Sequence, residues 1–111
     1  MLNPSGLSVH LQDLDARWTG LLEELKGADQ RRRQALYIHA KAYAKAYLEA
    51  PYTPSNDSCR KQTAIAATLT EAKDLEHWES EVRFIRDELR ALGSRTDIAR
   101  SLFSGVKQAT T

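Results

Sequence analysis

Ser8-Val-His-Leu-Gln-Asp-Leu-Asp-Ala-Arg-Trp-Thr-Gly-Leu-Leu-Glu-Glu-Leu-Lys26 carries large apolar residues at Leu11, Leu14, Trp18, Leu21 and Leu25, a 3-4-3-4 spacing. This period lines one stripe of an α-helix and misses the two-residue alternation of a half-buried strand. Two heptads of it make a coiled-coil-like seam. The fold class is therefore read as all-α, with Ser8 as the N-cap of a first helix over about 8–26.

Outward from that stretch, Gly27 is expected to end or kink the helix, and Asp29 to cap a restart running to about Glu49. There Leu36, Ala40, Tyr43 and Tyr47 follow a 4-3-4 spacing, one position out of phase with the first seam. A phase shift of that kind predicts a bend or a change of partner. Pro51 and Pro54 then stop the helix, and residues 50–57 form the expected loop. Ser55 or Asp57 is read as the cap of a third helix over about 58–92. Its apolar positions are Ile65, Leu69, Ala72, Leu75, Trp78, Val82, Ile85, Leu89 and Leu92. At 1.5 Å per residue it would be about 50 Å long, which calls for a partner helix within or between chains. Gly93 is expected to break it, with Thr96 or Asp97 capping a short amphipathic helix over about 97–107. The expectation is a single domain over residues 1–111: an elongated, oligomeric helical hairpin with a long third helix and a short C-terminal one.

Composition agrees with that class: glycine and proline together number eight, and 28% of the residues are charged. The net charge is only +1, but it is distributed unevenly. Residues 28–50 hold Arg31, Arg32, Arg33, Lys41 and Lys45 against Asp29 and Glu49, whereas Asp74, Glu76, Glu79 and Glu81 form an acidic patch. Basic residues prevail again from Arg83 to Lys107. Basic regions separated by acid suit a protein that holds a polyanion on one surface and a partner on another. Glu79 and Arg83 have the i,i+4 spacing of a surface ion pair, so Arg83, Arg86 and Arg90 read as ion-paired surface.

Cys59 is the single cysteine, which rules out an internal disulfide and fits a reducing, cytoplasmic setting. Its neighbours Arg60 and Lys61 mark it as a redox-sensitive residue at most. No segment approaches the roughly 18 apolar residues of a membrane span, and the first residues lack the pattern of a secretory leader. His10, His39 and His77 are far apart in sequence, and no glycine-rich phosphate loop or nucleophile–base pairing is present. The expectation is a non-enzymatic protein without metal or cofactor.

The candidate ligand site is Ala35-Leu-Tyr-Ile-His-Ala-Lys-Ala-Tyr-Ala-Lys-Ala-Tyr-Leu-Glu-Ala50, where lysines and tyrosines interleave on an alanine-rich helix. Positive side chains meet phosphates and aromatic rings stack bases, the combination used on single-stranded nucleic acid. At about 100° per residue, Tyr37, Lys41 and Lys45 share one side while Tyr43 and Tyr47 lie opposite, with the apolar positions. Arg31, Arg32 and Arg33 extend the basic side.

Lys45-Ala46-Tyr47-Leu48-Glu49, followed by Tyr52, resembles the DNA-binding motif of the bacteriophage UvsY-like recombination mediator family, which reads Lys-Ala-Arg-Leu, then an acid and a tyrosine-bearing loop. Trp78, Phe84, Ser94 and Arg95 repeat the spacing of that family's second block. The similarity runs over roughly residues 25–105. Tyr47 stands where the family has its motif arginine, so Lys45 is the transferable residue. The resemblance implies a ring-forming homo-oligomer that binds single-stranded DNA, helps displace the single-strand-binding protein and loads a recombinase. It also implies oligomerisation through the C-terminal helix, here Ile98, Leu102, Phe103 and Val106. Two other classes fit parts of the chain. One is a helical phage structural, scaffolding or host-interaction protein. The other is a small secreted helical hairpin, from Trp18-Thr-Gly20, whose Trp-x-Gly motif forms the inter-helix turn.

Overall fold

A computed structural model describes residues 4–51 and 57–109, and all its regular structure is helical: α1 (Pro4–Glu49), α2 (Asp57–Ala67) and α3 (Leu69–Ala109). Ser55, Pro54 and Tyr52, named above for a cap, a stop and a motif position, lie outside the described residues. The chain forms two compact units, Met1–Lys26 with Arg83–Thr111, and Gly27–Val82. In the first, the start of α1 packs against the end of α3; in the second, the rest of α1 packs against α2 and the start of α3.

α1 is one helix of 46 residues, about 69 Å at 1.5 Å per residue, where the sequence predicts two. Proline is tolerated in the first helical turn because its missing N–H has no intrahelical partner there. The helix thus begins at Pro4, and Ser8 is an internal residue rather than its cap. Gly27 does not break it. A glycine in a helix interior costs about 1 kcal/mol relative to alanine, too little to stop 46 residues that are otherwise alanine- and leucine-rich. Asp29 caps nothing and binds two arginines instead.

The predicted phase shift is also absent. Leu7, Leu14, Leu21, Ala28 and Ala35 are all buried, each seven residues from the last, and Ala42 continues the series half-buried. Ala35 is 4% exposed whereas its neighbour Leu36 is 47% exposed. The inward stripe therefore keeps its phase while its side chains shrink from leucine to alanine, and the larger residues of the second half belong to an adjacent stripe.

The predicted helix over 58–92 is interrupted at Thr68. Its N–H reaches Ile65 O at 3.2 Å instead of Ala64 O, and its hydroxyl takes up the Ala64 carbonyl at 2.8 Å. Such back-bonding competes with the helical ladder and tightens one turn. Ala72 N then bonds Thr68 O at 3.0 Å and α3 proceeds. The buried stripe of this arm is Ala64, Thr68, Val82, Ile85, Leu89, Leu92, Thr96 and Ala99, with Leu75 and Trp78 half-buried between. Ile65 and Leu69, assigned to it from sequence, are exposed.

α3 also runs through Gly93. In the first unit Trp18 lies over it, 3.6 Å from where a Cβ would sit, an ordinary van der Waals distance. Thr96 is no cap: it is buried in mid-helix and donates its hydroxyl to Leu92 O at 2.9 Å. Trp18-Thr-Gly20 lies in the interior of α1 and makes no turn, which removes the feature required by the Trp-x-Gly reading. No described helix is long and apolar enough to cross a membrane.

Candidate nucleic-acid interface

Tyr37, Lys41 and Lys45 recur every four residues on the second half of α1, so they form one line on its surface, steps of about 6 Å apart along the axis. All three are exposed, and Leu48 extends the line towards the helix end. Neither lysine has an ion-pair partner among the described residues.

The arginine run behaves differently. Arg32 Nε and Arg33 Nε bind the two carboxylate oxygens of Asp29 at 2.9 and 3.0 Å. Arg31 places its guanidinium 4.9 Å from the ring centroid of Trp78, a cation–π contact that pins α1 to α3 within the second unit. His77 packs edge-on to the same indole at 4.8 Å. All three arginines thus have intramolecular partners, and the run is a structural cluster from which Arg33 still projects into solvent.

Tyr43 and Tyr47 lie on another side of α1, as the helical wheel indicates. Their rings stack at 6.3 Å, and His39 tilts against Tyr43 at 6.4 Å, making an aromatic ladder. Tyr47 closes it with further bonds. Its hydroxyl donates to Asp57 Oδ1, and the Arg60 guanidinium lies over its ring at 4.4 Å. Arg60 Nε donates to Tyr47 O at 2.5 Å and its Nη2 to Leu48 O at 3.3 Å. These carbonyls belong to the last turn of α1, where the ladder leaves acceptors unmatched and the helix dipole favours a cation. Arg60 therefore acts as the C-terminal cap, and Tyr47 is the post it leans on.

Charge at this joint is consistent with its geometry. The hydrogen bond from Tyr47, followed by Lys61 at 3.2 Å, holds the Asp57 carboxyl below the usual carboxylate range. The same bond to Asp57 pushes the Tyr47 phenol up, and Asp57 also raises Lys61. Asp57 opens α2, where a negative charge suits the positive helix end.

Arg60 escapes sequence reasoning because it owes its role to a helix end thirteen residues earlier. No local motif marks it. Elsewhere, Arg90 pairs with Asp87 at 3.6 Å, and Arg100 reaches across the first unit to Asp15 at 3.7 Å. Phe84, one of the positions that repeat the family's second block, is exposed. Of the residues assigned to oligomerisation, Ile98 and Leu102 are exposed and border a shallow groove with Leu7 and His10, whereas Phe103 and Val106 are half-buried. Cys59 is an exposed free thiol, and no metal-holding cluster occurs among the described residues. No protein-family model matches the chain, and neither does any curated protein or solved structure.

Proposed function

We infer that this chain is a non-enzymatic single-stranded-DNA-binding protein of the recombination-mediator kind, acting as a homo-oligomer beside a single-strand-binding protein and a recombinase. The supporting observation is the division of labour among its cations. Arg31, Arg32 and Arg33 are engaged with Trp78 and Asp29, while Lys41 and Lys45 stand exposed in line with Tyr37. Two lysines about 6 Å apart match a phosphate backbone, and Tyr37 offers a ring to an unpaired base. Tyr47 serves from behind: it holds the end of the helix on which both lysines stand. Two phosphate contacts per chain are weak, so affinity comes from repetition of the site in an oligomer.

The test is fluorescence anisotropy of labelled oligo-dT at low and moderate salt. Wild-type protein binds at low salt and loses affinity steeply as salt rises. Lys41→Ala with Lys45→Ala lowers affinity and flattens the salt dependence, by a log–log slope of about 1.4 per chain for two single-strand phosphate contacts. Binding that the double variant leaves untouched removes this site, and no binding at low salt removes the reading.

A second reading, a helical phage structural, scaffolding or host-interaction protein, draws on the exposed Leu36, Ile38, Ile65 and Leu69. Apolar surface of that kind serves protein contacts. An oligomer inert to DNA is its signature.

A further inference from the structure

The two helix arms of the second unit each carry an apolar strip beside their inward stripe. On α1 it is Leu36, Ala40 and Tyr43; on α2 and α3 it is Ile65, Leu69 and Ala72. Leu36, Ile65 and Leu69 are each about half exposed, at 47, 45 and 52%. The register of the arms follows from two cross-contacts, Arg31 with Trp78 and Arg60 with Tyr47. Counting inward from these brings Leu36 level with Ala72, Ala40 with Leu69, and Tyr43 with Ile65. In antiparallel helices, residues displaced from the inward stripe in the same rotational sense project to the same side. The two strips are therefore one continuous face of a two-helix layer, turned away from Lys41 and Lys45.

We propose that this face is covered by the same face of a second copy, related by a two-fold axis that sets the helices of the two copies antiparallel. The arrangement is self-complementary in charge. Centred near Leu69, the rotation lays Ile65 over the partner's Ala72, and by the same register it lays Tyr43 over the partner's Leu36 on α1. It also carries Lys61, at one end of the strip, to Glu76 and Glu79 at the other. Lys61 is bonded to Asp57 yet keeps 57% of its side chain exposed, and both glutamates are exposed. A two-fold interface requires a single patch to match itself, and a strip with opposite charges at its two ends meets that requirement. Two paired helices leave their outer faces uncovered, whereas four enclose a larger core. The association goes beyond the DNA-binding reading and does not depend on it, since the lysine line stays on the outside of the pair.

Sedimentation equilibrium of the full chain tests this, at concentrations up to about 100 μM to reach the weak end of specific interfaces. Wild-type protein is expected to self-associate reversibly. Leu69→Glu places a charge at the two-fold centre and is expected to give monomer, with circular dichroism unchanged because Leu69 is exposed within one chain. Glu76→Lys weakens association at least several-fold, and adding Lys61→Glu restores it. A wild-type monomer throughout the range overturns the proposal. So does association that Leu69→Glu leaves intact, which moves the contact elsewhere, or a charge swap without rescue, which rejects the antiparallel pairing. Oligo-dT anisotropy on the same variants reads the lysine line separately, so failure of either inference is visible without the other.

Discussion

The two units use one seven-residue period to opposite ends. In Met1–Lys26 with Arg83–Thr111 the buried positions are mostly large, Leu7, Leu14, Leu21, Ile85, Leu89 and Leu92 beside Thr96 and Ala99, whereas in Gly27–Val82 they are mostly small, Ala28, Ala35, Ala50, Ala64 and Thr68 beside Val82, with Leu75 half-buried. Each buried methylene is worth about 0.8 kcal/mol, so a leucine position contributes roughly 2 kcal/mol more than an alanine one. The first unit is held by its seam. The second draws on the helix propensity of alanine, on the Arg31–Trp78 contact and on the Tyr47–Asp57–Arg60 joint, and it carries Leu36, Ile65 and Leu69 on its surface. A constant period thus says where the inside is, but not how much energy the inside supplies.

The sharpest way to break this contrast is to empty the large seam. Leu92 is 2% exposed, and Leu92→Ala is expected to cost about 2–5 kcal/mol in urea denaturation. A loss below about 1 kcal/mol would show that the leucine seam is not the main support. Next is the reverse change in the small seam. Ala35→Leu is expected to destabilise by about 1–3 kcal/mol, because a tight site must open to admit a larger side chain. A stabilised variant would mean that the alanine seam is underfilled.

Smaller still, Gly27→Ala should raise stability by about 0.4–1 kcal/mol, since nothing lies within 4 Å of the added carbon and the residue is helical. A drop in melting temperature would point to a real break at the junction of the predicted helices. The smallest effect concerns the joint. Asp57 is depressed in the folded state, so its contribution is complete above the unfolded value near 3.9 and is lost as pH falls through the native one. Tyr47 and Lys61 are raised, so theirs are complete below about 10 and fade as pH rises through their native values. The melting-temperature difference between wild type and Asp57→Asn should be level from about pH 5 to 9 and shrink on either side. A difference of equal size at pH 2.5 and pH 7 refutes an ionic role for the joint.

These contrasts also explain how far the chain was legible. The leucine seam was readable because Leu11, Leu14, Leu21 and Leu25 outweigh their neighbours in hydrophobicity. In the second unit the larger residues Leu36, Tyr43, Ile65 and Leu69 stand out, because alanine and threonine carry little apolar signal, yet Leu36, Ile65 and Leu69 are exposed and Tyr43 is only half-buried. The same weakness divided α1 at Gly27 and joined α2 to α3 across Thr68, whose N–H turns to Ile65 O. Of the candidate site, Tyr37, Lys41 and Lys45 were visible as a line since their alignment depends only on helical spacing. The engagement of Arg31 with Trp78, and of Tyr47 with Asp57 and Arg60, was not, because each joins residues from different arms.

By itself, then, the sequence determined an all-helical chain, the leucine half of its inward stripe and the exposed lysine line, all consequences of local period and propensity. Tertiary structure alone decided that Gly27 and Gly93 continue their helices, that the arginines are occupied, that Arg60 caps α1, and that two separate strips make one apolar face. The physical reason is that packing ranks positions by the room available to them. A sequence displays only what each residue prefers.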